Sequence, residues 1–71
     1  MDRKYNPDDY DEVLAEYMKS AYDYHDEGNP LYYASMCRKI TMEVKTQWKN
    51  GAISRQEADE INDYFWRHRN D

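Results

Sequence analysis

The sequence predicts an all-α fold, a compact antiparallel three-helix bundle in a single helical domain over residues 1–71. Three observations carry this. Apolar residues recur at steps of three and four, never in strict alternation. Three helix-start signals are present: Asn6-Pro7, Asn29-Pro30 and Ser54-x-x-Glu57. The glycines, Gly28 and Gly51, each fall where a helix should stop. The expected helices lie near 7–27, 30–50 and 55–69.

The first helix is expected to open at Asn6, with Pro7 in its first turn and acids following. Its stripe reads Tyr10, Leu14, Tyr17, Ala21 and Tyr24, widened by Val13 and Met18. The second helix starts directly after Gly28, so the two should fold back as a hairpin. Its stripe is Tyr33, Met36, Cys37, Ile40, Val44 and Trp48. The third helix opens on a capping-box spacing, Ser54 to Glu57, with Ile53 placed to staple onto Ala58. Its stripe is Ala58, Ile61, Phe65 and His68. The pattern Gly51-x-Ile53-Ser54-x-x-Glu57 resembles the helix start of short C-terminal-type helical hairpins and of many small phage and mobile-element proteins. That likeness implies a helix start and nothing about function.

Composition bounds the rest. A chain of 71 residues buries a small core. Its hydrophobic fraction, 39%, is low, and eight Tyr must partly compensate. Either tyrosine rings form much of the core, or a partner completes it. The single cysteine, Cys37, rules out an intrachain disulfide. No apolar leader or membrane-length run is present. These features point to the cytoplasm.

Charge is uneven. Residues 1–29 hold nine acids and three bases, net −6, while residues 30–71 hold six acids and seven bases, net +1. An acidic face attracts basic protein surfaces. Asp23, Asp26 and Glu27 lie at the end of the first helix, where the helix dipole disfavours them. Tyr22, Trp66 and Tyr32 lie off or beside the stripes, and Tyr5 precedes the first helix; aromatics placed this way serve as interface anchors.

Chemical sites are sparse. Asp23-x-His25-x-Glu27-Gly28 has the start of a calcium-loop pattern, but Ala34 stands where the bidentate Glu is needed. His25, Cys37 and His68 lack zinc spacing and could meet only through folding. Cys37 on the buried stripe reads as a core thiol, and His68 as a packing or C-terminal capping group. No phosphate-binding glycine loop is present. No catalytic residue, metal or cofactor is expected.

The expected function is therefore protein binding without catalysis. An inhibitor or adaptor would dock an acidic, Tyr-rich helical face on a basic partner. The candidate contact residues are Asp8, Asp11, Glu12, Glu16, Tyr22, Asp23, Asp26, Glu27, Tyr32 and Trp66. A basic surface is often a nucleic-acid site, so the carboxylates could stand in for phosphates. Small acidic proteins of phage and other mobile elements, anti-CRISPR proteins among them, are similar in class. One alternative is a structural module that homodimerises through the Tyr10/Tyr17/Tyr24 heptad. Another is a small DNA-binding regulator using the Arg38/Lys45/Lys49 stripe.

The net charge of −5 and the acids of the third helix lead to one expectation. The protein should not bind duplex DNA appreciably at about 0.15 M salt, where phosphate contacts are already weakened. A mobility shift at submicromolar protein with a steep salt slope would promote the regulator.

Overall fold

Local capping decides where each helix begins. In a computed structural model describing residues 1–71, α1 spans Glu12–Asp26, α2 spans Pro30–Lys49 and α3 spans Arg55–Arg67. Short 3-10 turns cover Pro7–Asp9 and His68–Asn70. The fold is an all-α three-helix bundle, as expected.

The α1–α2 link is a tight reversal. Gly28 takes φ +70, the left-handed conformation that glycine adopts without steric cost. Its N–H donates to the His25 carbonyl, and the Asn29 N–H donates to the Tyr24 carbonyl at 2.9 Å. The Asn29 side chain then accepts the Tyr32 N–H and opens α2. At the next link, Ser54 Oγ accepts the Glu57 N–H at 3.0 Å. The Glu57 carboxylate does not complete the capping box; it accepts a hydrogen bond from the Tyr10 hydroxyl instead.

The expected first helix is interrupted. Asn6 does cap the Asp8 N–H, but only one 3-10 turn follows. Tyr10 is extended (φ −125, ψ 171), and Asp11 caps α1 by accepting the Leu14 N–H at 2.9 Å. Two cap residues five positions apart divide the segment. The break leaves Tyr10 free to reach Glu57 at the start of α3.

The core comes from all three helices. Leu14, Met18, Ala21 and Tyr22 of α1 meet Tyr33, Cys37, Ile40 and Val44 of α2 and Ala58, Ile61, Tyr64 and Phe65 of α3. The buried face of α1 is thus turned from the expected stripe. Tyr17 and Tyr24 are only half-buried, and Val13 is exposed. Tyr22, expected as an exposed anchor, is fully buried.

α2 is the central helix. It packs against both neighbours, whereas the backbones of α1 and α3 stay apart. The N-terminal segment Met1–Tyr5 bridges α1 and α3 instead. The Tyr22 hydroxyl donates to the Tyr5 carbonyl at 2.7 Å and accepts the Tyr5 N–H at 3.1 Å. The Tyr64 hydroxyl accepts the Lys4 N–H and donates to the Asp2 carboxylate. The Tyr5 ring meets Tyr64 edge-on at 5.3 Å. At the end of α3, the Tyr33 hydroxyl donates to the Phe65 carbonyl at 2.7 Å, satisfying one of the late helix acceptors.

Ile40 and Phe65 have no exposed surface. Replacing either by Ala should cost about 2–5 kcal/mol, measured by denaturant unfolding. A variant that melts within a degree or two of the parent would contradict this packing.

Candidate functional site

The acids of α1 divide by what they touch. At 100° per residue, Glu12, Glu16, Asp23 and Glu27 fall within about 60° of one another, on the side away from Leu14 and Met18. All four are exposed. From Glu12 to Glu27 the ladder runs about 22 Å, at 1.5 Å per residue. Glu12, Glu16 and Glu27 enter no ion pair; the paired groups are Arg3, Asp23, Asp26, His25, Asp63, Arg67, His68 and Asp71.

Asp23 and Asp26 have a partner within the chain. The Arg3 guanidinium lies 2.5 Å from Asp26 and 3.6 Å from Asp23, and stands over the Tyr22 ring at 5.2 Å. Arg3 adopts φ 51, uncommon for a residue with a Cβ, where the segment bends over α1. The sequence places the next downstream base at Arg38, but the answering cation comes from upstream. The hydrogen bond from Arg3 holds the Asp26 carboxyl below its usual value.

The remaining residues named from sequence scatter. Asp8 is exposed in the 3-10 turn. Asp11 is the α1 cap, and it also accepts from Gln47 Nε2 at 2.6 Å, tying α1 to α2. Trp66 is half-buried. Its indole N–H donates to Thr41 Oγ1 at 2.8 Å, and Arg69 lies over the ring at 5.6 Å. Tyr32 stays exposed.

Folding places Tyr32 beside residues that the sequence reading had assigned to the core. Tyr24 and Tyr32 meet edge-on at 5.4 Å. With Ser35, Met36 and Lys39 they line a shallow groove of about 200 Å³ between α1 and α2. Lys39 also stands over the Tyr17 ring at 5.9 Å. On the helical wheel, Tyr17 and Tyr24 border the Glu27 edge of the acidic ladder. The Tyr-rich part of the acidic face is therefore Tyr17, Tyr24 and Tyr32, not Tyr22. Tyr10 lies outside α1, so the Tyr10/Tyr17/Tyr24 heptad does not form one helical face.

The basic residues do not answer the acidic ladder within the chain. Arg38, Lys45 and Lys49 are exposed on the flank of α2 that faces α3, not α1. Arg55 extends that flank, stacked over Trp48 at 4.7 Å.

Two further groups are settled by burial and contact. Cys37 is buried, its thiol pushed up to about 11 by desolvation, and it points at the Phe65 carbonyl. A thiol in that setting is a poor nucleophile. His68 caps α3 and packs edge-on against Tyr64 at 4.8 Å. His25 approaches it, with rings 6.3 Å apart, and both lie near Asp71. A larger cleft of about 420 Å³ lies there, lined by His25, Asn29, Tyr33, Arg69, Asn70 and Asp71 among others. None of the residues named from sequence as partner contacts lines it.

The N-terminal bridge should respond to acid. The hydrogen bond from Tyr64 holds Asp2 below its ordinary value of 3.8, as Arg3 does for Asp26. A depressed carboxyl stabilises the folded bridge above its unfolded value and loses that effect as pH falls through the folded one. The bridge should therefore stay docked at neutral and mildly acidic pH and loosen only below 3.8. NMR shifts of the Lys4 and Tyr5 amides would follow it. Release at mildly acidic pH would contradict the assignment.

Comparison with protein-family models, with curated proteins and with solved structures finds no match for this chain.

Proposed function

We propose that this is a small non-enzymatic binding module, an inhibitor or adaptor, that docks the outer face of α1 on a basic surface of a partner protein. One observation supports it most. Glu12, Glu16 and Glu27 form an exposed ladder with no ion-pair partner, and its Glu27 end lies beside the groove lined by Tyr24 and Tyr32. A row of carboxylates that ends at an aromatic groove supplies both rim charge and anchor residues.

A partner with such a basic surface could be a nucleic-acid-binding protein. The ladder would then act as a nucleic-acid mimic of the anti-CRISPR type found in phage and mobile elements. It is sparser than a real strand, which carries a phosphate every 3.4 Å or so. The mimicry lies in the sign of the field and its linear layout. A free, buried Cys37 suits the reducing cytoplasm. No helix is long and apolar enough to cross a membrane. A second reading, the DNA-binding regulator, draws support from the absence of any acidic partner for Arg38, Lys45 and Lys49.

Rim charges act on association, and aromatic anchors on dissociation. Glu12→Lys, Glu16→Lys and Glu27→Lys together should slow association by on the order of 10-fold or more, and remove its salt sensitivity. Tyr32→Ala should speed dissociation. Both are measured by surface plasmon resonance against the partner captured from the native host. A triple reversal that binds at the parental rate in low salt would reduce the acidic face to a solubility device.

A further inference from the structure

The acidic face has a counterpart on the same molecule. On α2, Arg38, Met42, Lys45 and Lys49 lie within about 60° on the helical wheel, at 100° per residue. All are exposed, and Met42 is 71% exposed, whereas Met18 in the core has no exposed surface. None of the three bases enters an ion pair.

The two ladders share one spacing. Arg38, Lys45 and Lys49 are separated by steps of seven and four. Read backwards, Asp23, Glu16 and Glu12 are separated by seven and four as well. Each set spans about 16 Å of helix. Two copies in the same orientation would lay α1 of one antiparallel to α2 of the other, because the helices are antiparallel within the chain. Arg38 then faces Asp23, Lys45 faces Glu16, and Lys49 faces Glu12. Lys19 is the one base of α1 itself, and this register puts it opposite Met42, the one uncharged member of the basic ladder. Its aliphatic stem can cover the exposed thioether.

We infer that the protein self-associates head to tail, the outer face of α1 in one copy lying along the Arg38–Lys49 flank of α2 in the next. Such an interface is heterologous. It leaves an unused acidic face at one end and an unused basic face at the other, so it can extend beyond two copies. The inference stands apart from the functional reading above, since it requires no other partner.

The salt dependence should have two limbs. Each copy carries −5, and that repulsion acts between centres separated by about the 20 Å width of the molecule. At about 0.1 M salt the screening length is about 10 Å, so the general repulsion is damped while facing side chains still interact. At about 1 M it falls to about 3 Å, and the facing pairs are screened too. Sedimentation equilibrium at millimolar protein in about 0.1 M salt should give a mass rising with concentration above the 8.7 kDa monomer. In about 1 M salt it should return to 8.7 kDa.

Neutralised variants test the register. Glu12→Gln/Glu16→Gln keeps the basic flank, and Lys45→Gln/Lys49→Gln keeps the acidic one. Each alone should remain monomeric, with circular dichroism showing unchanged helicity. Mixed, they should form a 1:1 dimer that grows no further, because only one native pair of faces is present. A wild-type chain that stays at 8.7 kDa in about 0.1 M salt overturns the inference, as does association that persists in about 1 M salt. A monomer whose basic flank instead binds a labelled DNA duplex, with binding lost in Lys45→Gln/Lys49→Gln, would give that flank to nucleic acid.

Discussion

The structure depends on a layer of tyrosine hydroxyls that joins two helices which do not pack backbone to backbone. α1 and α3 both lean on α2, and the gap between them is closed by the rings of Tyr22, Tyr64 and Tyr5. Tyr22 and Phe65 meet across that gap at 5.4 Å. A ring fills the volume, and its hydroxyl then holds the backbone of residues 4 and 5. A phenylalanine at position 22 would fill the same space but leave the Tyr5 N–H and carbonyl unpaired in a partly buried site. Unpaired groups of that kind cost about 1–3 kcal/mol each. This is how a chain with so few aliphatic residues fills its core.

Surface charge contributes little to holding this fold. Exposed ion pairs are screened by solvent and salt and stabilise little, and the Arg3 pairs are exposed. The buried rings and aliphatics carry the stability. The charges are therefore free to be arranged for other ends, and the arrangement is polar across the molecule. Asp26 and, more weakly, Asp23 are tied to the N-terminal segment. Glu12, Glu16 and Glu27 are not, and neither are Arg38, Lys45 and Lys49 on the opposite flank. Helix order explains the separation. α2 turns its Gln47, Lys39 and Met36 side toward α1, so its other bases face α3 and solvent.

What the sequence made legible was local. Asn29-Pro30 and Ser54 mark the starts of α2 and α3 because a cap is satisfied within three residues. The central positions Ile40 and Phe65 follow from periodicity alone. Asn6-Pro7 carries an equally good cap, yet its helix lasts one turn, because Asp11 offers a second cap and Glu57 offers Tyr10 a partner 47 residues away. The face of α1 was ambiguous for a similar reason. Tyr10, Leu14, Tyr17, Ala21 and Tyr24 fit one helical stripe, and Leu14, Met18, Ala21 and Tyr22 fit another about 65° away by the wheel. Only the ring of Phe65 and the N-terminal backbone choose between them, and neither is near in sequence. Arg3 was missed as the partner of Asp26 because a helix-dipole argument looks along one helix and not across the fold.

Under the proposed binding role, the rotation of α1 also decides which face is left open. Had Tyr22 faced solvent, the acidic ladder would have had its aromatic neighbour on the Asp26 side, where Arg3 now lies. Burying Tyr22 turns Tyr17 and Tyr24 outward to the opposite edge, against Tyr32 of α2. The aromatic groove therefore borders carboxylates without a cation of their own, with Lys39 as the only base at its wall. A partner cation entering there meets no competing guanidinium, whereas one approaching Asp26 must displace Arg3. The same packing choice that completes the core thus leaves Glu12, Glu16 and Glu27 with their interactions still to make and Asp23 with only a long contact to Arg3, while Asp26 is already paired.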